Sequence, residues 1–139
     1  MRLSHSFACA VVCLGIFSSE TLMAETIHFT IADKTYPIVM ADNADARHFI
    51  ERLPFTVTFE NFGTKERVAY PEPRLKAEGA VRRFDIPKGT ITIYKPWGTI
   101  AVFKVDFDWH QDLALLGKLT DEGLQAICNS ADLPVTFTR

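Results

Sequence analysis

Hydrophobic and polar positions alternate through most of this chain, and the alternation has the period of strands. Ile27, Phe29 and Ile31 alternate with His28 and Thr30, which predicts a strand with His28 on its polar face. Ala32-Asp33-Lys34 is a short turn, and Tyr36 to Met40 is a second strand in which Pro37 marks the start or an edge. The period then changes. Ala46, Phe49, Ile50 and Leu53 fall at helical spacing and make one apolar face, so a helix is expected from Ala44 to Leu53. Asp42 or Asn43 is its cap, Pro54 its stop, and His48 falls off the apolar face toward solvent. Phe55, Val57 and Phe59 restore the period of two, and Lys65 to Tyr70 is a further short strand.

From Pro71 to Pro87 the pattern fails. Three prolines and a glycine make a long irregular connection whose charges, Arg74, Lys76, Arg82 and Arg83 beside Glu72, Glu78 and Asp85, predict a solvated mixed-charge surface. The strongest signal follows. Ile91 and Ile93 alternate with Thr90, Thr92 and Tyr94; Ile100 and Val102 alternate with Ala101 and Phe103. Lys95-Pro96-Trp97-Gly98 joins the two runs, so this is a hairpin, with apolar groups on both faces that call for cover on both sides. A polar and aromatic loop, Asp106 to Asp112, leads to a run with Leu113, Leu115 and Leu119 on one side and Leu116 on the other. Thr120 caps a short helix through Leu124, Ala126, Ile127 and Cys128, and Leu133 to Thr138 is a closing strand. The expected fold is mainly β. About eight strands, mostly paired with their sequence neighbours, form a closed antiparallel barrel with two short helices over its ends.

Composition adds an address. The run Phe7 to Phe17 is apolar and too short to cross a bilayer of about 30 Å as a helix, but it suits the core of an export signal. Cleavage is expected after Ala24, so residues 1–24 are a leader and 25–139 one domain, periplasmic or secreted, with no membrane attachment afterwards. Cleavage removes Cys9 and Cys13 and leaves Cys128 without an internal disulfide partner, as a buried structural thiol. A net charge of −2, with no basic patch among the aromatics, gives nucleic-acid binding little support.

Candidate chemistry is sparse. Asp106, Asp108, His110 and Asp112 share one side of an extended segment, but the glycine and distal glutamate of a calcium loop are missing, so a solvated loop is expected rather than a metal. The chain has no glycine-rich phosphate cradle and no Gly-x-Ser-x-Gly elbow, so no cofactor is expected. The aromatic set is more informative. Tyr70, Tyr94, Trp97, Phe103, Phe107 and Trp109 beside an arginine would make a platform for proline rings, peptides or small organic ligands, with Trp97 at a barrel rim or pocket.

Three segments, Phe49-Ile50-Glu51-Arg52-Leu53-Pro54, Pro87 to Phe103, and Leu115-Leu116-Gly117-Lys118-Leu119, resemble the bacterial cyclophilin-like family, which is related in fold to the cyclophilin prolyl isomerases. The resemblance runs from Ile27 to Phe137 and implies an eight-stranded barrel capped by two helices. It also implies where a groove would be sought. The cyclophilin groove histidine falls on or near Leu113, with His110 three residues away; Arg67 and Arg74 are the candidates for its arginine; Phe103 matches an aromatic position. Ile100 and Ala101 stand where an amide side chain would be. Two functions are therefore expected. The first is a binding module taking a peptide or small ligand in a groove near Arg74, Tyr94, Trp97, Phe103 and His110. The alternative is a prolyl isomerase of exported proteins, with catalytic candidates Arg67, Arg74, Phe103 and His110. A third, structural or partner-assembly role would need no ligand site.

Overall fold

The computed structural model describes Gly15 and residues 24–139. Apart from Gly15, the expected signal core Phe7–Phe17, with Cys9 and Cys13, lies outside the described residues. Eight strands and two helices follow in order: β1 (Thr26–Ile31), β2 (Lys34–Met40), α1 (Ala44–Glu51), β3 (Phe55–Phe62), β4 (Glu66–Ala69), β5 (Thr90–Tyr94), β6 (Thr99–Phe103), β7 (Leu113–Leu119), α2 (Asp121–Cys128) and β8 (Pro134–Thr138). All strand pairs are antiparallel, and the sheet closes in the order β1-β2-β7-β5-β6-β4-β3-β8. The expected barrel is present, but its wiring differs from the expectation. Only β1–β2, β3–β4 and β5–β6 pair consecutive strands. The other links run through α1, α2 and the long connections, which carry the chain across the barrel instead of back along its last strand.

Period-two patterning fills the interior. Ile27, Phe29 and Ile31 of β1, Ile38 and Met40 of β2, Val57 and Phe59 of β3, Ile91 and Ile93 of β5, Ile100 and Val102 of β6, and Val135 and Phe137 of β8 form one core. Phe49 and Ile50 from α1 and Leu124 and Ile127 from α2 enter the same core, so both helices act as plugs. Asn43, rather than Asp42, caps α1: its Oδ1 accepts the Ala46 N–H at 2.7 Å, while Asp42 pairs with Arg47 at 2.8 Å. In β7 the expected facing is corrected. Leu116, not Leu115, points into the core, together with Ala114 and Leu119, and Leu113 joins a different cluster. The β5 register slips between Thr92, opposite Leu115, and Ile91, opposite Gly117, so one extra residue bulges β7 and breaks the period.

A second, smaller cluster lies on the opposite face of the same strands. Val68 of β4, Ala101 and Phe103 of β6 and Leu113 of β7 are buried there with Ile86, beneath Phe84, Phe107 and Trp109. The cover comes from the two irregular segments, which meet in a single bridge between Ile86 and Phe107. This explains why the hairpin is apolar on both faces. The segment 71–87 is anchored at Leu75 in the core and by the Gly79 N–H, which donates to the Asp45 carboxylate at 3.0 Å. Its seven charged side chains are exposed, as the sequence predicts.

Candidate functional site

A hollow of about 270 Å³ opens on the outer face of the sheet. Strand pairing builds its floor. Val68 lies opposite Ala101, and Tyr94 lies between Thr99 on one side and Leu113 on the other. Small side chains at Ala101 and Thr99 leave depth between larger neighbours. Phe62 at the end of β3, Trp97 in the hairpin turn, Phe107 and His110 from the loop after β6, and Glu66 of β4 stand around the rim. Phe62 and Trp97 are about half exposed, unusual for residues of their size, and their ring centroids are 5.8 Å apart with the planes at 77°. Tyr94 and Trp97 meet at 5.2 Å and 90°.

The turn carrying Trp97 is pinned from behind. Gly98 has φ of +63°, and a β-carbon there would overlap the Leu75 carbonyl oxygen. The Leu75 N–H donates to the Gly98 carbonyl at 3.0 Å, and Arg74 Nη1 donates to the Trp97 carbonyl at 3.3 Å. Arg74 also pairs with Glu72 and lies 5.0 Å over the Tyr70 ring. It positions the turn without lining the hollow.

Of the residues expected to bind the ligand, the structure thus brings together three, Tyr94, Trp97 and His110. It does not bring the others to them. Phe103 is fully buried and stacked on Phe107 at 4.7 Å, beneath the rim. Arg67 is 4% exposed and faces the interior side of β4. Its Nε donates to the Ile127 carbonyl at 3.1 Å, its Nη2 to Ser130 Oγ and the Ala131 carbonyl, both at 2.8 Å, and its Nη1 to Asn61 Oδ1 at 3.4 Å. Phe62, Glu66, Val68 and Thr99 were not singled out by the sequence, whereas Phe107 belongs to the aromatic set read from it and Leu113 stands at the expected groove-histidine position. Strand parity held a signal for some of them: Glu66 and Val68 alternate with Arg67 and Ala69, and Thr99 and Ala101 share a face with Tyr94.

Electrostatics single out Glu66. Burial pushes its carboxyl above the usual carboxylate value, and among the described residues no hydrogen bond or ion pair holds its side chain. In the folded state the proton is held to higher pH than in the unfolded chain, so stability falls as pH rises from 4.5 through the raised folded value. Glu66→Gln is therefore expected to be more stable than the parent at neutral pH, with the difference vanishing below pH 4.5; urea unfolding at several pH values checks it.

His110 Nδ1 accepts the Asp112 N–H at 3.2 Å, and Asp106 accepts the Lys88 N–H at 2.9 Å. Asp106 is thus tied to the segment before β5 and His110 to Asp112, and among the described residues no three His, Cys, Asp or Glu side chains gather as a metal would need. Cys128 is half-buried against the core, and burial raises its thiol, which suits packing better than reactivity.

Comparison with known proteins matches this architecture. The sequence model of the cyclophilin-like family matches residues 29–138, nearly the whole described chain. The chain belongs to the cyclophilin-like family. A hypothetical protein of Archaeoglobus fulgidus, solved in solution, is similar in structure with a TM-score of 0.63 over 87% of this chain and 98% of that one. The two are 12% identical, so the likeness is one of fold. No curated protein matches this sequence. Membership in the cyclophilin-like family accounts for the closed barrel with two helical plugs; the activity has to be argued from the hollow.

Proposed function

We propose that this cyclophilin-like domain is a non-catalytic binding module, and that the hollow walled by Phe62, Tyr94 and Trp97 is its ligand site. The observation that carries the reading is a pair of large aromatic rings left half exposed around a small-residue floor, on a face otherwise buried under two loops. Such a concave, mostly apolar site with a few convergent polar groups is how small ligands and short peptide side chains are held. The isomerase alternative needs a guanidinium at the twisted amide. Among the described residues no arginine lines the hollow: Arg67 is engaged inside and Arg74 behind the turn.

The test pairs two assays on the purified protein. Small organic fragments are expected to raise its melting temperature saturably, and short X-Pro peptides are expected to isomerise no faster than without it. Trp97→Ala, at a half-exposed site, should change stability by less than about 1 kcal/mol while abolishing the fragment shift. Accelerated isomerisation that disappears in Arg74→Ala would replace this reading with the enzymatic one. We further propose export to the periplasm or beyond, on the strength of the apolar run Phe7–Phe17. Among the described residues no helix is long and apolar enough to cross a membrane. N-terminal sequencing of the protein from its native cells should begin at Glu25; a chain still starting at Met1 would refute export by cleavage.

A further inference from the structure

Resting on the reading of the hollow as a ligand site, we propose that its ligand is a small free organic cation, an alkylated ammonium group held among Phe62, Tyr94 and Trp97 and neutralised by Glu66. The walls come first. Phe62 stands at 77° to Trp97, and Trp97 at 90° to Tyr94, so three rings set at steep angles to one another line the hollow, with Phe107 also on its lining. A ring face carries negative charge density, and several faces around one small volume favour a cation over a neutral group of the same shape. Outside the lining, the ammonium of Lys65 sits 5.8 Å from the centroid of Phe107.

The charge comes second. Glu66 is the acid on the lining, half-buried, and without an ion pair among the described residues. Keeping a carboxylate among aromatic rings costs free energy in the empty protein, and a bound cation offsets that cost. The remaining groups do not compete with it. His110 is engaged with Asp112, whose N–H its Nδ1 accepts and whose carboxylate lies 3.6 Å from the same atom, and Lys65 itself is exposed outside the lining.

The chemistry of the ammonium follows from the walls, which are mostly apolar and aromatic. A primary ammonium brings three N–H donors. The polar side chains on the lining are Glu66, Tyr94, Thr99, His110 and the indole of Trp97, and only Glu66 is anionic. An alkylated ammonium has few or no donors to satisfy and gives up its hydration more easily, so it fits the aromatic walls better. A volume of about 270 Å³ is at the small end for ligand sites, which favours a head group of a few heavy atoms over a folded peptide segment.

Calorimetric titration of the protein with choline and with 3,3-dimethylbutan-1-ol, its uncharged isostere, tests the proposal. Choline is expected to bind saturably and roughly tenfold or more tighter than the alcohol. Glu66→Gln should weaken choline by roughly tenfold and leave the alcohol unchanged, whereas Trp97→Ala should weaken both. Equal affinity for the two, or choline binding unchanged in Glu66→Gln, would overturn the cation assignment while leaving an apolar ligand site standing. Binding of neither probe would also overturn it, and the fragment melting shifts then judge the ligand site separately. A trimethyl-lysine peptide completes the series. Tighter binding of free choline supports a free ligand, and tighter binding of the peptide would overturn that choice.

Discussion

Phe137→Ala is expected to cost about 4 kcal/mol of folding stability, the cost of deleting a fully buried phenylalanine. Its ring lies 5.3 Å from Phe55, 5.6 Å from Phe49, 6.1 Å from Phe29 and 6.4 Å from Phe59. These neighbours come from β1, α1 and β3, so one side chain on β8 ties the closing strand to both flanking strands and to a helical plug. Alanine would leave a void that a closed sheet cannot collapse to fill, and would remove tilted and edge-on aromatic contacts besides. Domains of this size are stable by about 5–15 kcal/mol, so the loss leaves a marginal fold. The melting temperature should fall by roughly 15 °C or more. A drop of only a few degrees would mean that the barrel is not held together at this point.

Arg67→Ala is the second large effect, and it bears on function. Its guanidinium is buried, meets no carboxylate at ion-pair distance among the described residues, and is satisfied by four neutral acceptors. The Ile127, Ser130 and Ala131 acceptors belong to the end of α2 and the link into β8. Removing the side chain strips them of charge-assisted bonds, each worth about 1.5–3 kcal/mol, with only partial replacement by water. A loss of about 3 kcal/mol is expected, read by urea unfolding, together with faster amide exchange at the end of α2. A catalytic arginine would behave otherwise: its removal would spare stability and change turnover. Arg67→Ala as stable as the parent would reopen the enzymatic reading at this position.

Much of the fold is legible in the pattern of single strands. β1, β3 and the β5–β6 hairpin alternate without error, because each has one face in the core and the hairpin's own register is regular. Both helices are marked by side-chain caps, Asn43 and Thr120. The strand order is not legible, because closure pairs β2 with β7 and β3 with β8 across long intervals and leaves no local trace. β7 misleads for a related reason: its bulge shifts the parity, so Leu116 takes the place that alternation gives to Leu115. The site divides in the same way. Trp97 and Tyr94 stand out because a tryptophan in a tight turn has little to bury it. Arg74 and Phe103 are drawn in by the resemblance to the cyclophilin groove, yet one lies behind the turn and the other under Phe107. Glu66 is overlooked because a charged residue in a short strand looks like any solvated one; its lack of a partner exists only in three dimensions.

The most direct measurement is an amide and indole NMR titration with small organic fragments, charged and neutral. The chain has two tryptophans, so the indole N–H resonances of Trp97 and Trp109 separate the hollow from the loop cluster beside it. The expected result is a saturable shift of the Trp97 indole and of the Thr99 and Ala101 amides, with Trp109 nearly still. Saturable shifts centred instead on the surface around Asp42, Arg47 and Arg83, or no fragment that moves Trp97, would contradict the assignment of the hollow as the ligand site.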